Sequence, residues 1–319
     1  MIRTADTVTP PIDCPVVFII GAPRSGTTWL QQMLGAYPGI VTSQETDLFN
    51  RYVEPLCRSW SQDLATDRQR RFKGLAAVLT QDEFDRWISE SIGTVYRKLR
   101  SLKPSASVVL EKNPTYSLKT DLIAKYVPQA RFIHVLRDGR DVVASLLAAS
   151  AGWGASWAPS KSTRAAKTWR KHVIGAQQAR KNGNAYIEVR YEQLLRDGPA
   201  ELHRVFDFCG LPVEISESRL IYERFTFDRI RSAQHPASSI VWSGEIKRRY
   251  GADIAEPDGF FREGRAGAWP ETLTAAQCRA IYRVAGTLLE ESGYCLRGDT
   301  RWRSMLESVK SCFTSERRR

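Results

Sequence analysis

The stretch FIIGAPRSGTTWLQQML (18–34) constrains the fold more than any other part of the chain. The run PVVFIIG (15–21) is apolar throughout and ends in glycine, which suits a strand buried on both faces of a parallel sheet. A glycine-containing turn follows, then a helix over TTWLQQMLGAY that Pro38 and Gly39 stop. Strand, glycine loop and helix in that order present backbone N–H groups and the positive end of a helix dipole to an anion. In the Walker pattern G-x-x-x-x-G-K-[ST], Gly21 and Gly26 fall in place, but Thr27 stands where a lysine reads the β- and γ-phosphates. Arg24 puts a guanidinium inside the loop instead, with Ser25, Thr27 and Thr28 as neutral donors. That set suits a diphosphate-like group and demands no metal.

The remaining chain keeps the alternation. GIVTSQET (39–46) reads as a short strand or loop, and 47–60 and 81–100 have helical spacing. In the second of these Phe84, Trp87, Ile88, Ile92, Val95, Tyr96 and Leu99 fall on one core-facing stripe. SVVLEKNP (107–114) is a strand, followed by a helix to Tyr126. RFIHVLRD (131–138) is a strand, and the segment 138–150 opens a helix with Asp in its first turn. A long basic helix spans 160–182, NAYIEVRYEQLL begins as a strand, and PAELHRVFDFCG is a helix ending at Gly210. Strands alternating with helices mean βαβ units. The expected fold is therefore α/β, a parallel central sheet flanked by helices and P-loop-like. One domain is expected over 15–298, with an N-terminal extension (1–14) and a basic tail (299–319). The stretch 232–270 reads as a long ordered loop.

Composition narrows the function. The longest apolar runs fall far short of the roughly 20 residues that span a bilayer, and the first residues lack a signal-peptide stretch. The expectation is a soluble, cytoplasmic protein. Six scattered cysteines without a C-x-x-C pair, and four histidines without H-x-x-x-H spacing, argue against zinc or a disulfide framework. Lys plus Arg outnumber Asp plus Glu by 47 to 35, a net charge of +12 that favours an anionic partner. The basic runs at 67–73 and in the tail do not interleave aromatics, so nucleic acid is not the expected partner.

A second segment, RFIHVLRDGRDVVAS, places Arg137 at a strand's C-terminal end, the ligand edge of an open parallel sheet. Ser145 lies two helical turns on, and an arginine fork with a hydroxyl is a natural pair for another phosphate. A plain Arg137–Asp138 ion pair is the alternative. Together the two segments resemble the sulfotransferases that use 3′-phosphoadenosine 5′-phosphosulfate (PAPS). The resemblance implies that Arg24, Ser25, Gly26, Thr27, Thr28 and Trp29 hold the 5′-phosphosulfate, and that Arg137 and Ser145 hold the 3′-phosphate. RYEQLL with its following helix and GLP is similar to the family's YEDL…P segment, which implies that Tyr191 packs against adenine. FREGRAGAW (261–269) is similar to the loop R-K-G-x-x-G-x-W that closes over the 3′-phosphate. Arg262, Gly264, Gly267 and Trp269 match, and Glu263 replaces the family's lysine. Phe225 and Phe227 loosely resemble an adenine-side segment.

Sulfuryl transfer needs a base for the acceptor and a cation at the leaving oxygen. The family's K-T-H histidine is absent, since EKNP (111–114) stands there. The tyrosylprotein and glycan types use a glutamate about 21 residues after the loop's basic residue, and Glu45 lies 21 after Arg24. Lys112 matches their lysine at the transferring group. Glu111 is the rival base. The resemblance implies an acceptor hydroxyl on a sugar, glycolipid or phenol, and Trp153 and Trp157 either stack on it or belong to the core. A P-loop kinase or NTPase is the competing enzyme reading; it is disfavoured by Thr27 and by Arg137 where a Walker B aspartate would stand. A nucleotide-binding relative without catalysis is the other alternative.

Overall fold

A computed structural model of the protein describes residues 14–67, 74–231, 240–241, 260–261 and 264–294. Strand β1 is Val16–Gly21, and all six residues are buried, as the unbroken apolar run requires. Helix α1 is Thr27–Gly35, and β2 is the three-residue strand Ile40–Thr42. A π-helical turn, Leu48–Val53, leads into α2, Glu54–Asp67, where the spacing predicts one continuous helix. Helix α3, Gln81–Ser101, opens on a capping box in which Thr80 and Glu83 satisfy each other's backbone N–H groups. Its core stripe holds Phe84, Ile88, Ile92, Tyr96 and Leu99, but Trp87 is 42% exposed. Trp87 therefore leaves the expected stripe: Phe84 takes the inner position, stacking on Trp60 with ring centroids 4.3 Å apart.

Strand β3 is Val108–Lys112. The helix expected to follow it is divided, with a 3-10 turn over Pro114–Leu118 and then α4, Thr120–Tyr126. Next come β4, Arg131–Leu136; α5, Gly139–Ser150; α6, Ser162–Lys181; and β5, Ala185–Arg190. The remaining helices are α7, Tyr191–Arg196; α8, Gly198–Cys209; α9, Ile215–Arg224; α10, Phe227–Arg231; α11, Trp269–Thr272; and α12, Ala275–Glu291. Most of the expected loop 232–270 and the whole basic tail lie outside the described residues, as do residues 68–73 of the basic run.

The five strands form one parallel sheet in the order β2-β3-β1-β4-β5. Strand β1 lies between β3 and β4, with Ile19 opposite Lys112 on one side and Ile133 on the other. Alternate residues of β1 feed two cores: Val16, Phe18 and Ile20 meet α3 and the Tyr116 turn, while Val17 and Ile19 meet α1 and α8. A third cluster joins α5, α6 and α12 around Trp169, which is fully buried. Successive strands first step away from β1 to one side and then return to pass to the other. The crevice at their C-terminal ends is where such a sheet takes a ligand.

Candidate active site

Every strand delivers a candidate residue to that edge: the glycine loop after β1, Glu45 after β2, Lys112 at the end of β3, Arg137 after β4 and Tyr191 after β5. They line one cavity of about 910 Å³. Thr27, Thr28 and Trp29 of α1 line it too, and so do Ser145 and Gly264. Arg262 lies outside the described residues.

The loop is shaped by backbone conformations that glycine favours. Gly26 has φ 97, and a Cβ there would lie 2.6 Å from Cδ2 of Tyr191. Its Cα therefore rests against that ring. Arg24 has φ 73, an uncommon conformation for a side-chain-bearing residue. No described side chain caps the N-terminus of α1, and Ser25 Oγ is buried without a hydrogen-bond partner. Buried polar groups are normally satisfied, so an orphan beside a run of backbone donors marks a place prepared for an anion.

Arg137 is held by its neighbours through two of its three guanidinium nitrogens. Its Nη1 donates to the carbonyl of Arg24 at 3.2 Å and its Nη2 to that of Arg265 at 3.2 Å, while Nε has no partner. The guanidinium stacks over Tyr191, 4.1 Å from the ring centroid. Tyr191 is 6% exposed and also meets Trp29 edge-on at 5.7 Å, so it supports the loop and Arg137 as well as lining the cavity. Ser145 Oγ accepts from Arg24 Nε at 3.1 Å rather than pairing with Arg137. Arg24 also donates to the carbonyl of Phe260 and lies against the rings of Phe260 and Trp153, 4.6 and 5.1 Å away. Trp153 and Trp157 both line the cavity, and Trp157 is 47% exposed.

The alternative Arg137–Asp138 ion pair does not form. Asp138 caps α5 and pairs with Arg140, whose guanidinium lies over Trp269 at 4.3 Å. Asp141, which no sequence motif singles out, accepts from the N–H groups of Gly267 at 2.7 Å and Trp269 at 2.9 Å. It thus anchors the Gly264–Trp269 loop against α5. Burial raises its pKa, and the charge of nearby Arg137 opposes the rise. Of the two phenylalanines, Phe227 lines the cavity, whereas Phe225 is 1% exposed in the core. The carbonyl of Phe225 accepts from Trp29 Nε1 at 2.7 Å, so Phe225 is a backbone anchor rather than a nucleotide contact.

Glu45 and Lys112 face each other across the cavity wall, with Oε1 and Nζ 2.5 Å apart. The Lys112 side chain is 5% exposed and that of Glu45 is 41% exposed. The rival carboxylate is elsewhere. Strand alternation turns Glu111 to the opposite face of β3, where it is 1% exposed and accepts from Tyr96 Oη at 2.5 Å, Tyr116 Oη at 3.0 Å and the Thr46 hydroxyl. Burial pushes its pKa up, and the three hydroxyl donors pull it back.

These groups fit a nucleotide carrying a diphosphate-like arm and a second phosphate. Ser25 Oγ and Arg137 Nε offer unmet donors, the α1 N–H groups are uncapped, and the Gly26 backbone can be approached closely. The family is visible in the comparisons. A profile described as "Sulfotransferase family" matches residues 15–215, and the chain belongs to that family. It is 26% identical over 221 residues to protein-tyrosine sulfotransferase 1 of Danio rerio, covering 66% of this chain and 58% of that protein. It is 26% identical over 205 residues to protein-tyrosine sulfotransferase 2 of Gallus gallus, covering 62% and 52% respectively. The chain thus spans only a little more than half the length of these two relatives. Among solved structures, mouse sulfotransferase SULT7A1 complexed with PAP aligns at TM-score 0.53 and 16% identity, over 92% of this chain and 88% of that one. The sulfotransferase domain of the curacin biosynthetic pathway aligns at 0.54 and 17%, over 87% and 98%. These likenesses establish the fold.

Proposed function

We propose that the chain transfers a sulfuryl group from PAPS to an acceptor hydroxyl on a sugar, a glycolipid or a phenol. The phenol of tyrosine, which the relatives' names point to, is included. The observation that carries this reading is the Glu45–Lys112 pair at 2.5 Å in the cavity that also holds the glycine loop and Arg137.

When bound, PAPS supplies a sulfuryl group already activated by a nucleotide bisphosphate leaving group. The loop N–H groups, Arg24, Ser25, Thr27 and Thr28 hold the 5′ arm. Arg137 and Ser145, whose hydroxyl accepts from Arg24 Nε and keeps its own proton to donate, hold the second phosphate. Glu45 receives the acceptor's proton as the oxygen attacks sulfur. Lys112 offers its ammonium to the bridging oxygen, where charge grows as the sulfur–oxygen bond breaks. Among the described residues no group of His, Cys, Asp and Glu is gathered to hold a metal ion, and this scheme assigns each charge to a side chain. Glu111 is not among the residues lining the cavity, so the acceptor's proton is assigned to Glu45.

Calorimetry with 3′-phosphoadenosine 5′-phosphate in excess EDTA tests the donor half. Wild type should bind, and Arg137→Ala should bind at least about tenfold more weakly, since a hydrogen bond to an ionised group contributes about 1.5–3 kcal/mol. Binding that vanishes with chelator, or a normal Arg137→Ala, refutes the assignment. Labelled PAPS with pooled tyrosyl peptides, oligosaccharides and glycolipids, read as an 80-Da gain, identifies the acceptor. ATP hydrolysis in its place would return the kinase reading.

A further inference from the structure

Three consecutive residues after β2 meet three consecutive residues at the end of β3. Glu45 pairs with Lys112, Thr46 donates to Glu111, and Asp47 Oδ1 accepts from Asn113 Nδ2 at 2.8 Å. The outer two rungs lie in the cavity wall. The middle rung passes through to the other side of the sheet, into the aromatic core around Phe18, Tyr96 and Tyr116.

Glu45 sits in an irregular segment with an exposed side chain. Neither a helix nor a strand fixes its backbone, so something else must hold it at one place opposite Lys112. Asp47, further along, is tied to Asn113; Thr46, the immediate neighbour, ties the segment to the interior. Its hydroxyl accepts from the N–H of Leu48 at 3.2 Å and donates to Glu111. Glu111 is rigid for its own reasons: its backbone belongs to β3, and two tyrosines hold its carboxylate. A hydrogen bond to a buried acceptor is costly to lose, because the acceptor cannot turn to water instead.

We propose that Thr46 is a positioning residue for the base: its hydroxyl, fixed to buried Glu111, sets Glu45 against Lys112. Glu111 thereby serves the reaction from the far side of the sheet without touching the reactants. Burial raises the pKa of Glu111, and its three hydroxyl donors, Thr46 among them, oppose that rise by favouring the ionised form. The inference rests on the roles given above to Glu45 and Lys112.

The test compares Thr46→Val, which keeps the shape and removes the hydroxyl, with Thr46→Ser, which restores it. Misplacing a reacting group by about 1 Å can cost about 10²-fold. Thr46→Val should therefore lower single-turnover rates with PAPS and the pooled acceptors by roughly 10- to 100-fold. Affinity for 3′-phosphoadenosine 5′-phosphate should stay within about twofold, since the loop and Arg137 are untouched. Thr46→Ser should recover most of the loss. A crystal structure of Thr46→Val should show Glu45 no longer within hydrogen-bond distance of Lys112.

Wild-type rates in Thr46→Val overturn the proposal. So do equal losses in Thr46→Val and Thr46→Ser, rate and nucleotide affinity falling in step, or a Glu45–Lys112 pair unchanged in the variant's structure. If wild type neither binds the nucleotide nor transfers sulfate, the sulfuryl-transfer reading fails, and the variant's structure alone then decides whether Thr46 places Glu45.

Discussion

Lys112 is an interior cation, 4% exposed, whose ammonium meets Glu45 at the cavity wall. If it acts on the leaving oxygen, its effect belongs to the transition state, because in the ground state Arg24 and the loop already surround the 5′ arm. Lys112→Ala should then lower kcat by roughly 10²–10³, the usual cost of removing one preorganised donor, and weaken nucleotide binding far less. Lys112→Arg should recover only part of the rate, since a planar fork places its charge elsewhere. Single-turnover rates beside calorimetry decide this; parallel losses in both would make Lys112 a donor-binding residue. Arg137 was legible in the sequence because it follows a strand directly, and apolar runs mark strand ends well. Glu45 and Lys112 were legible only through the resemblance, which implies a glutamate about 21 residues after the loop's basic residue and a lysine before the asparagine–proline pair. Which of Glu111 and Lys112 faces the cavity was not legible, since alternation separates neighbours without naming the wet side. Asp141 and the Asp47–Asn113 contact were hidden for another reason. Their partners lie 126 and 66 residues away in the chain, and only the assembled sheet brings them together.

In the proposed reading nucleotide binding depends on the glycine loop, and Gly26 is its tightest point. A side chain there meets two obstacles: φ 97 disfavours any Cβ, and Tyr191 occupies the space at 2.6 Å. Tyr191 cannot retreat easily, being packed between Trp29 and Arg137. Gly26→Ala should thus shift the ring and the loop together, weakening 3′-phosphoadenosine 5′-phosphate at least about tenfold and lowering the melting temperature. Unchanged calorimetry and melting for Gly26→Ala would show that the loop tolerates a Cβ and does not depend on Tyr191. The sequence marks this element clearly because strand, turn and helix signals coincide over some 20 residues. It is less informative where signals compete. The expected helix after β3 breaks at Lys119, whose φ −128 and ψ 13 are not helical, after a 3-10 turn set by Asn113 and Pro114. The expected helix at 47–60 starts instead as a π-turn from Asp47 at φ 54. In both places a tertiary contact near the cavity, through Asn113 or Asp47, prevails over periodicity.

At the scale of the whole molecule, two buried histidines tie stability to pH. His134 lies inside the sheet, fully buried, with Nδ1 2.6 Å from Tyr186 Oη, and burial pushes its pKa down to about 3 from an ordinary 6.5, Arg190 adding to the effect. His172 packs α6 against the turn after β3, with Nδ1 2.7 Å from Ser117 Oγ, and burial lowers its pKa to about 4. Below pH 6.5 the unfolded chain takes up protons at both sites while the folded chain does not. The histidines' contribution to stability is therefore fully present above about pH 6.5 and is lost progressively as pH falls towards 4 and 3. Each such site contributes a slope of up to about 1.4 kcal/mol per pH unit within its window. Glu111, Asp141 and Glu192 act in the opposite sense, because burial raises their pKa and the folded state gains protons first. The wild-type curve mixes both signs, so a variant is needed to isolate the histidines. His134→Gln is neutral at every pH and keeps a polar group for Tyr186. Urea midpoints measured from pH 7 to pH 5 should fall less steeply for His134→Gln than for wild type, by up to one proton's worth of slope. Parallel curves for the two proteins would mean that His134 gains its proton in the folded state as readily as in the unfolded chain, and that the sheet interior admits the charge.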